Sequence, residues 1–115
     1  MNALSISPEA KKDLEDIKAY IAETLCNPPA AIATVTKIVA GMKRLRDMPF
    51  AGSGLASKVS FDTDYRYVIC GNYLAFYRYK DKTVFVDRVL YGKRDYLKTL
   101  FPEYSQGDFL DDEEE

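Results

Sequence analysis

The sequence predicts a two-layer α+β domain, on three observations: an early region whose apolar residues recur every three or four positions, a later region where the spacing falls to two, and a stretch rich in proline, glycine and serine between them. Helices come first and consecutive strands follow, so the strands pair antiparallel and the helices cover the sheet. The expected order is an N-terminal strand, an α-helical hairpin, a three-stranded antiparallel meander and a short C-terminal helix.

Leu4 and Ile6 alternate with Ala3, Ser5 and Ser7, which reads as a short strand. Ser7-Pro8-Glu9 then supplies an N-cap and a proline at the first helical position, where its missing N–H costs nothing. Ala10, Leu14, Ile17, Ile21 and Leu25 form one apolar stripe. Asn27-Pro28-Pro29 ends this helix and starts another by the same logic. The second stripe is Ile32, Val35, Ile38, Val39, Met42 and Leu45, so the two helices make an antiparallel hairpin that needs a sheet to cover. Gly41 within it is expected to allow close packing, and Pro49 to stop the helix. Residues 50–57 read as a connection.

From Tyr65 the period is two. Tyr65 to Cys70, Tyr73 to Tyr79 and Thr83 to Tyr91 read as strands, split by Gly71-Asn72 and by Lys80-Asp81-Lys82. A two-residue turn at Gly71-Asn72 places Tyr67, Ile69, Leu74 and Phe76 on one face, read as the core face, and Arg66, Val68, Ala75 and Tyr77 on the other. Carrying the same parity onward adds Val84, Val86, Arg88 and Leu90 to the Arg66 face. Tyr96, Leu97, Leu100 and Phe101 make the last helix, with Asp95 as its N-cap and Pro102 closing it.

At 115 residues and 47% hydrophobic content the chain makes a single domain, expected over residues 1–104. Residues 105–115 read as an acidic, disordered tail. The last nine residues hold six of the eighteen acids, leaving 16 basic against 12 acidic side chains in residues 1–106, a net of +4. The folded part is mildly basic. Nothing in the sequence suggests a secretion signal or a membrane span, so a cytoplasmic protein is expected.

No histidine is present, which removes the commonest general base and zinc ligand. Cys26 and Cys70 lack CxxC spacing, Asp62 and Asp64 suit a turn, and Ser53 and Ser57 have no base to activate them. No metal site and no cofactor are expected. What remains is a set of cations interleaved with tyrosines: Lys58, Arg66, Arg78, Arg88, Lys93 and Arg94. Two readings fit them, a surface for a phosphate backbone and stackable bases, or the amphipathic rim of a small sheet.

The element order and the run "DYRYVICGNYLAFYRYKDKTVFVDRVLYGKRDYLKTLF", residues 64–101, resemble the RelE/ParE superfamily, the toxins of bacterial type II toxin-antitoxin modules. The resemblance spans residues 3 to 101 and is carried by the Ser-Pro-Glu-Ala helix start, the Asn72–Arg78 strand and the Arg88–Asp95 run. It implies growth inhibition, a role in plasmid stabilisation, and a cognate antitoxin as partner.

The superfamily holds two activities. RelE-like members cut mRNA on the ribosome, whereas ParE-like members inhibit DNA gyrase. For the nuclease activity the resemblance assigns catalytic roles to Arg94, Arg66 and Tyr91. For target or phosphate binding it points to Lys93, Arg94, Arg88, Arg78, Lys58 and Tyr96. Leu74 stands where the nucleases carry an arginine, Val68 where they carry the second lysine of a pair, and no histidine lies near Tyr91. The pattern is closer to the ParE-like branch. The expected target is gyrase, with ribosome and mRNA as the alternative, and an inactive antitoxin-binding remnant as a third reading.

Overall fold

The computed structural model describes residues 2–110. Strand β1 (Ala3–Ile6) leads into helix α1 (Pro8–Ala19), a π-helical turn at Tyr20–Thr24, helix α2 (Pro28–Arg44), β2 (Ser53–Gly54), a 3-10 turn at Leu55–Lys58, β3 (Arg66–Cys70), β4 (Tyr73–Lys80), β5 (Thr83–Tyr91) and α3 (Tyr96–Leu100). The strands form one five-stranded sheet in the order β1-β5-β4-β3-β2, with β1 parallel to β5 and the other pairs antiparallel. Among the described residues no helix is long and apolar enough to cross a membrane.

Two of the three predicted caps form. The Ser7 hydroxyl accepts from the Ala10 N–H at 3.0 Å and the Asn27 side chain from the Ala30 N–H at 3.2 Å, each just ahead of a proline. The Asp95 side chain makes no such bond at the start of α3, so it holds the cap position without capping. The first helix does not run regularly to Leu25. It widens at Tyr20, where the Leu25 N–H bonds back to the Tyr20 carbonyl at 3.0 Å, and it ends at Cys26 in the left-handed region (φ 54). The regular turns of α2 end at Arg44, before Pro49.

The Gly71-Asn72 turn is the expected two-residue one: Cys70 pairs with Tyr73, and Gly71 takes φ 65. The core-face expectation is corrected. Helices α1 and α2 cover the other face, where Ala75, Tyr77, Val84 and Val86 meet Ala10, Ile38, Met42 and Leu45. Leu74, Phe76 and Leu90 are buried as well, beneath Leu55, Val59, Phe101 and Phe109. That face starts with the mixed set Arg66, Val68 and Ala75, and its continuation through Tyr77, Val84 and Val86 supplies the apolar surface. Ile69 is 66% exposed, and Leu25 and Ile32 of the helical stripes are exposed too.

A β-bulge corrects the second parity expectation. Tyr77 pairs with Val86 but Phe76 with Arg88, so Asp87 is the extra residue and Leu90 changes sides. Val84 and Val86 stay under the helices, and the Arg88 side chain reaches Asp13 on α1. The bulge shows as a step of three from Val86 to Val89, both under the helices, which counting by twos does not follow.

The chain from Phe50 onward is more ordered than a plain connection, since β2 pairs with β3 at Ser53↔Tyr67 and Gly54↔Arg66. Part of the segment read as a tail also packs on the body. Phe109 is buried and bridges Val59, the Ser60 N–H donates to the Asp108 carbonyl at 2.8 Å, and the Leu110 N–H to the Lys58 carbonyl at 2.8 Å. The acidic run 111–115 lies outside the described residues.

Candidate functional site

A groove of about 950 Å³ opens where the helical hairpin turns over the end of the sheet. The wide π-helical turn sets Tyr20, Ile21 and Leu25 along one wall, α2 supplies Ala33, Thr34 and Lys37, and the floor is Cys70, Tyr73 and Tyr91. Tyr73 and Tyr91 are cross-strand partners, with ring centroids 5.6 Å apart in an edge-to-face arrangement. Asp13 and Asp16 of α1 lie on the same rim.

Arg94 reaches this groove from the turn after β5. That turn is held by the Gly92 N–H to the Asn72 carbonyl at 2.8 Å, the Arg94 N–H to the Tyr91 carbonyl at 3.2 Å and the Tyr96 N–H to the Arg94 carbonyl at 2.8 Å. A Cβ at Gly92 would lie 3.2 Å from the Asn72 carbonyl oxygen, so a side chain there would need the Asn72 turn to give by a few tenths of an ångström. Lys93 and Arg94 are both exposed.

The site is suited to binding more than to proton transfer. Burial pushes the Tyr73 phenol up, with the neighbouring Tyr91 and Tyr20 acting in the same direction, so it stays protonated near neutrality. Burial also raises the Cys70 thiol, against the opposing pull of Arg44 and Lys37, which makes it a poor nucleophile. Among the described residues no group of three or more His, Cys, Asp or Glu side chains is placed to hold a metal ion.

Of the residues singled out in the sequence, the fold brings Arg94 and Tyr91 together, with Lys93 beside them. Arg66 is elsewhere. It lies four residues down β3 from Cys70, about 13 Å at the strand's rise, and its Nη2 donates to the carbonyls of Phe50 (3.2 Å) and Gly52 (2.5 Å). Arg88 binds Asp13 through Nε at 2.8 Å and Nη2 at 3.0 Å. Arg78 donates to Asp87 at 3.0 Å and lies over the Tyr65 ring. The Tyr96 ring packs on Phe76, and Lys58 sits in the 3-10 turn, its carbonyl bonded to Leu110.

Sequence reasoning missed Tyr20, Lys37 and Tyr73 as groove residues. Tyr20 lies three positions after Ile17, so it widens the apolar stripe of α1 and was there to be read. Lys37 carries no such signal, because its place depends on how α2 crosses the Gly71 turn.

The sequence profile of the ParE toxin of type II toxin-antitoxin systems, parDE, matches residues 4–96. Among curated protein sequences none is significantly similar. The fold is similar to that in the chromosomal ParDE system of P. aeruginosa, with a TM-score of 0.66, 25% identity, and 79% of this chain and 96% of that chain covered. The RelBE2 toxin-antitoxin complex of Mycobacterium tuberculosis (TM-score 0.51, 21% identity, 78% and 96% covered) and the DinJ-YafQ complex of E. coli (TM-score 0.50, 14% identity, 79% and 93% covered) share the fold alone. With the family profile spanning β1 to the start of α3, the chain belongs to the ParE toxin family of type II toxin-antitoxin systems.

Proposed function

We propose that this chain is the toxin of a parDE-type module in a bacterial cytoplasm, that it arrests growth by acting on DNA gyrase, and that a cognate antitoxin neutralises it. One observation carries the choice of target. The two positions that RelE-like nucleases fill with cations hold Leu74 and Val68, and both side chains are used in packing: Leu74 lies in the cluster of Phe76 and Leu90, and Val68 against that of Tyr77 and Ile38. Neither can stabilise the charge that develops on a phosphate during cleavage. Arg66, the remaining candidate on β3, is engaged by loop carbonyls away from Arg94.

The groove supports the antitoxin part of the reading. An aromatic floor flanked by Lys37 and Arg94 suits an amphipathic segment that brings apolar side chains and an acid. Lys93, Arg94 and Tyr91 are the residues assigned to partner contact at this end. Induction of the chain without an antitoxin is expected to trigger a DNA-damage response while mRNA stays intact. Prompt loss of translation with cleavage of mRNA in the ribosomal A site would overturn the target.

A further inference from the structure

At the end of the sheet away from the groove, Met48 and Phe50 are 59% and 67% exposed. Tyr79, which meets the Phe50 ring edge-on at 5.3 Å, lies six residues along β4 from Tyr73, about 20 Å at the strand's rise. The loop that carries the two apolar side chains is fixed at nearly every residue. The Tyr77 hydroxyl donates to the Pro49 carbonyl at 2.8 Å and accepts from the Gly52 N–H at 3.1 Å. Arg66 donates to the carbonyls of Phe50 and Gly52 and lays its guanidinium 5.3 Å from the Phe50 ring centroid, and the Asn2 side chain donates to the Arg46 carbonyl at 2.6 Å. A Cβ at Gly52 would collide with the Tyr67 carbonyl oxygen and the Tyr77 hydroxyl, so the backbone is pressed on the sheet. Single exposed apolar side chains are ordinary, but two on one immobilised loop form a preorganised contact.

Exposed cations stand at the same corner. Arg46 is on the loop, and Lys80 and Lys82 flank the β4–β5 tip, which the Ala3 N–H to Lys82 carbonyl bond and the Tyr79 hydroxyl to Asn2 bond tie to the same corner, both at 2.9 Å. Asp47 and Asp81 are the acids within these two segments. At the tip Asp81 (φ 52) and Lys82 (φ 60) are both left-handed, a turn that Asn-Gly forms with less strain.

We propose that Met48 and Phe50, with Arg46, Lys80 and Lys82 at the same corner, form the docking surface for the toxin's protein target, whose matching face is apolar at its centre and acidic at its rim. An apolar centre with charges at the rim is the anatomy of a protein interface, whereas a phosphate backbone draws cations to the centre. The inference rests on the proposed toxin function, and it leaves the groove free while the target is held.

The test titrates purified full-length protein into a gyrase supercoiling reaction and induces the same variants in cells without an antitoxin. Met48→Ser with Phe50→Ser is expected to raise the half-inhibitory concentration by about tenfold or more, as loss of an aromatic hot spot does, and to abolish growth arrest at an unchanged thermal midpoint. Lys80→Glu with Lys82→Glu, on a hairpin tip, decides the matter if the apolar pair misfolds, and should weaken inhibition in a salt-dependent way. Wild-type potency in a folded variant overturns the docking surface. If the wild type arrests growth without inhibiting gyrase, the target reading fails and growth arrest alone judges the surface, which persistent arrest in the variants overturns. A wild type that does neither overturns both. Binding to naked duplex DNA, lost in the lysine variant but kept in the apolar one, marks a phosphate surface and also overturns the proposal.

Discussion

Asp13 on the first helix accepts both guanidinium bonds of Arg88, at 2.8 and 3.0 Å, across 75 residues of chain. The same carboxylate also takes the Val89 N–H at 2.9 Å, so one side chain fastens α1 to the bulged stretch of β5. The hydrogen bond to Asp13 raises the Arg88 pKa against the cost of burial, and the cation is permanent. Arg88→Met leaves Asp13, whose side chain is 12% exposed, with one partner fewer. The expected loss of stability is about 2–3 kcal/mol, the worth of hydrogen bonds to a charged group, read from urea unfolding.

Tyr65 donates to Asp87 at 2.7 Å, and Arg78 donates to the same oxygen at 3.0 Å. Burial first, then the bond to Asp87 and its charge, hold the phenol well above its ordinary value of 10.0. Because the raised value favours the protonated phenol in the fold, this stabilisation is complete below pH 10 and is lost as pH climbs beyond it. Unfolding curves of wild type and Tyr65→Phe are therefore expected to converge as pH rises above 10, and a constant gap across that range would contradict the assignment.

A Cβ at Gly41 would lie 2.7 Å from the Cys70 Sγ, so a larger residue where α2 crosses β3 must displace the Cys70 side chain. Gly41→Ala is expected to destabilise by about 1–2 kcal/mol although alanine is the better helix former, because overpacking outweighs propensity. Cys70→Ala in the same chain should recover part of the loss, a coupling that a double-mutant cycle measures directly.

Phe109 lies outside the matched family profile and yet is 6% exposed, in one cluster with Leu55, Val59 and Phe101. Phe109→Ala is expected to lower stability by about 3 kcal/mol in chemical denaturation. A neutral effect would show that this segment does not belong to the folded body.

The contrast between Ser7 and Phe109 shows what the sequence made legible. Caps, helical stripes and the Gly71 turn are local signals, written within a few residues, and they were readable. Phe109 and Leu110 sit between acids, so composition read their segment as a tail, while the burial of Phe109 depends on Val59 fifty residues earlier. Arg66 and Arg88 looked like a target surface because sequence shows charge but not partners. The carbonyls of Phe50 and Gly52 and the carboxylate of Asp13 that engage them are set by the fold. The groove was half legible: Tyr91 and Arg94 were named, Tyr20 stood on the extended stripe of α1, and Tyr73 enters it beside Tyr91 through a strand pairing that no short motif announces.

The most direct measurement of the central claim puts the purified chain into two reactions side by side, gyrase supercoiling of relaxed plasmid and a translating extract in which mRNA integrity is followed. Action on gyrase predicts concentration-dependent loss of supercoiling with full-length mRNA. Undisturbed supercoiling together with mRNA cut at the ribosome, and protection of that mRNA by Arg94→Ala, would contradict it.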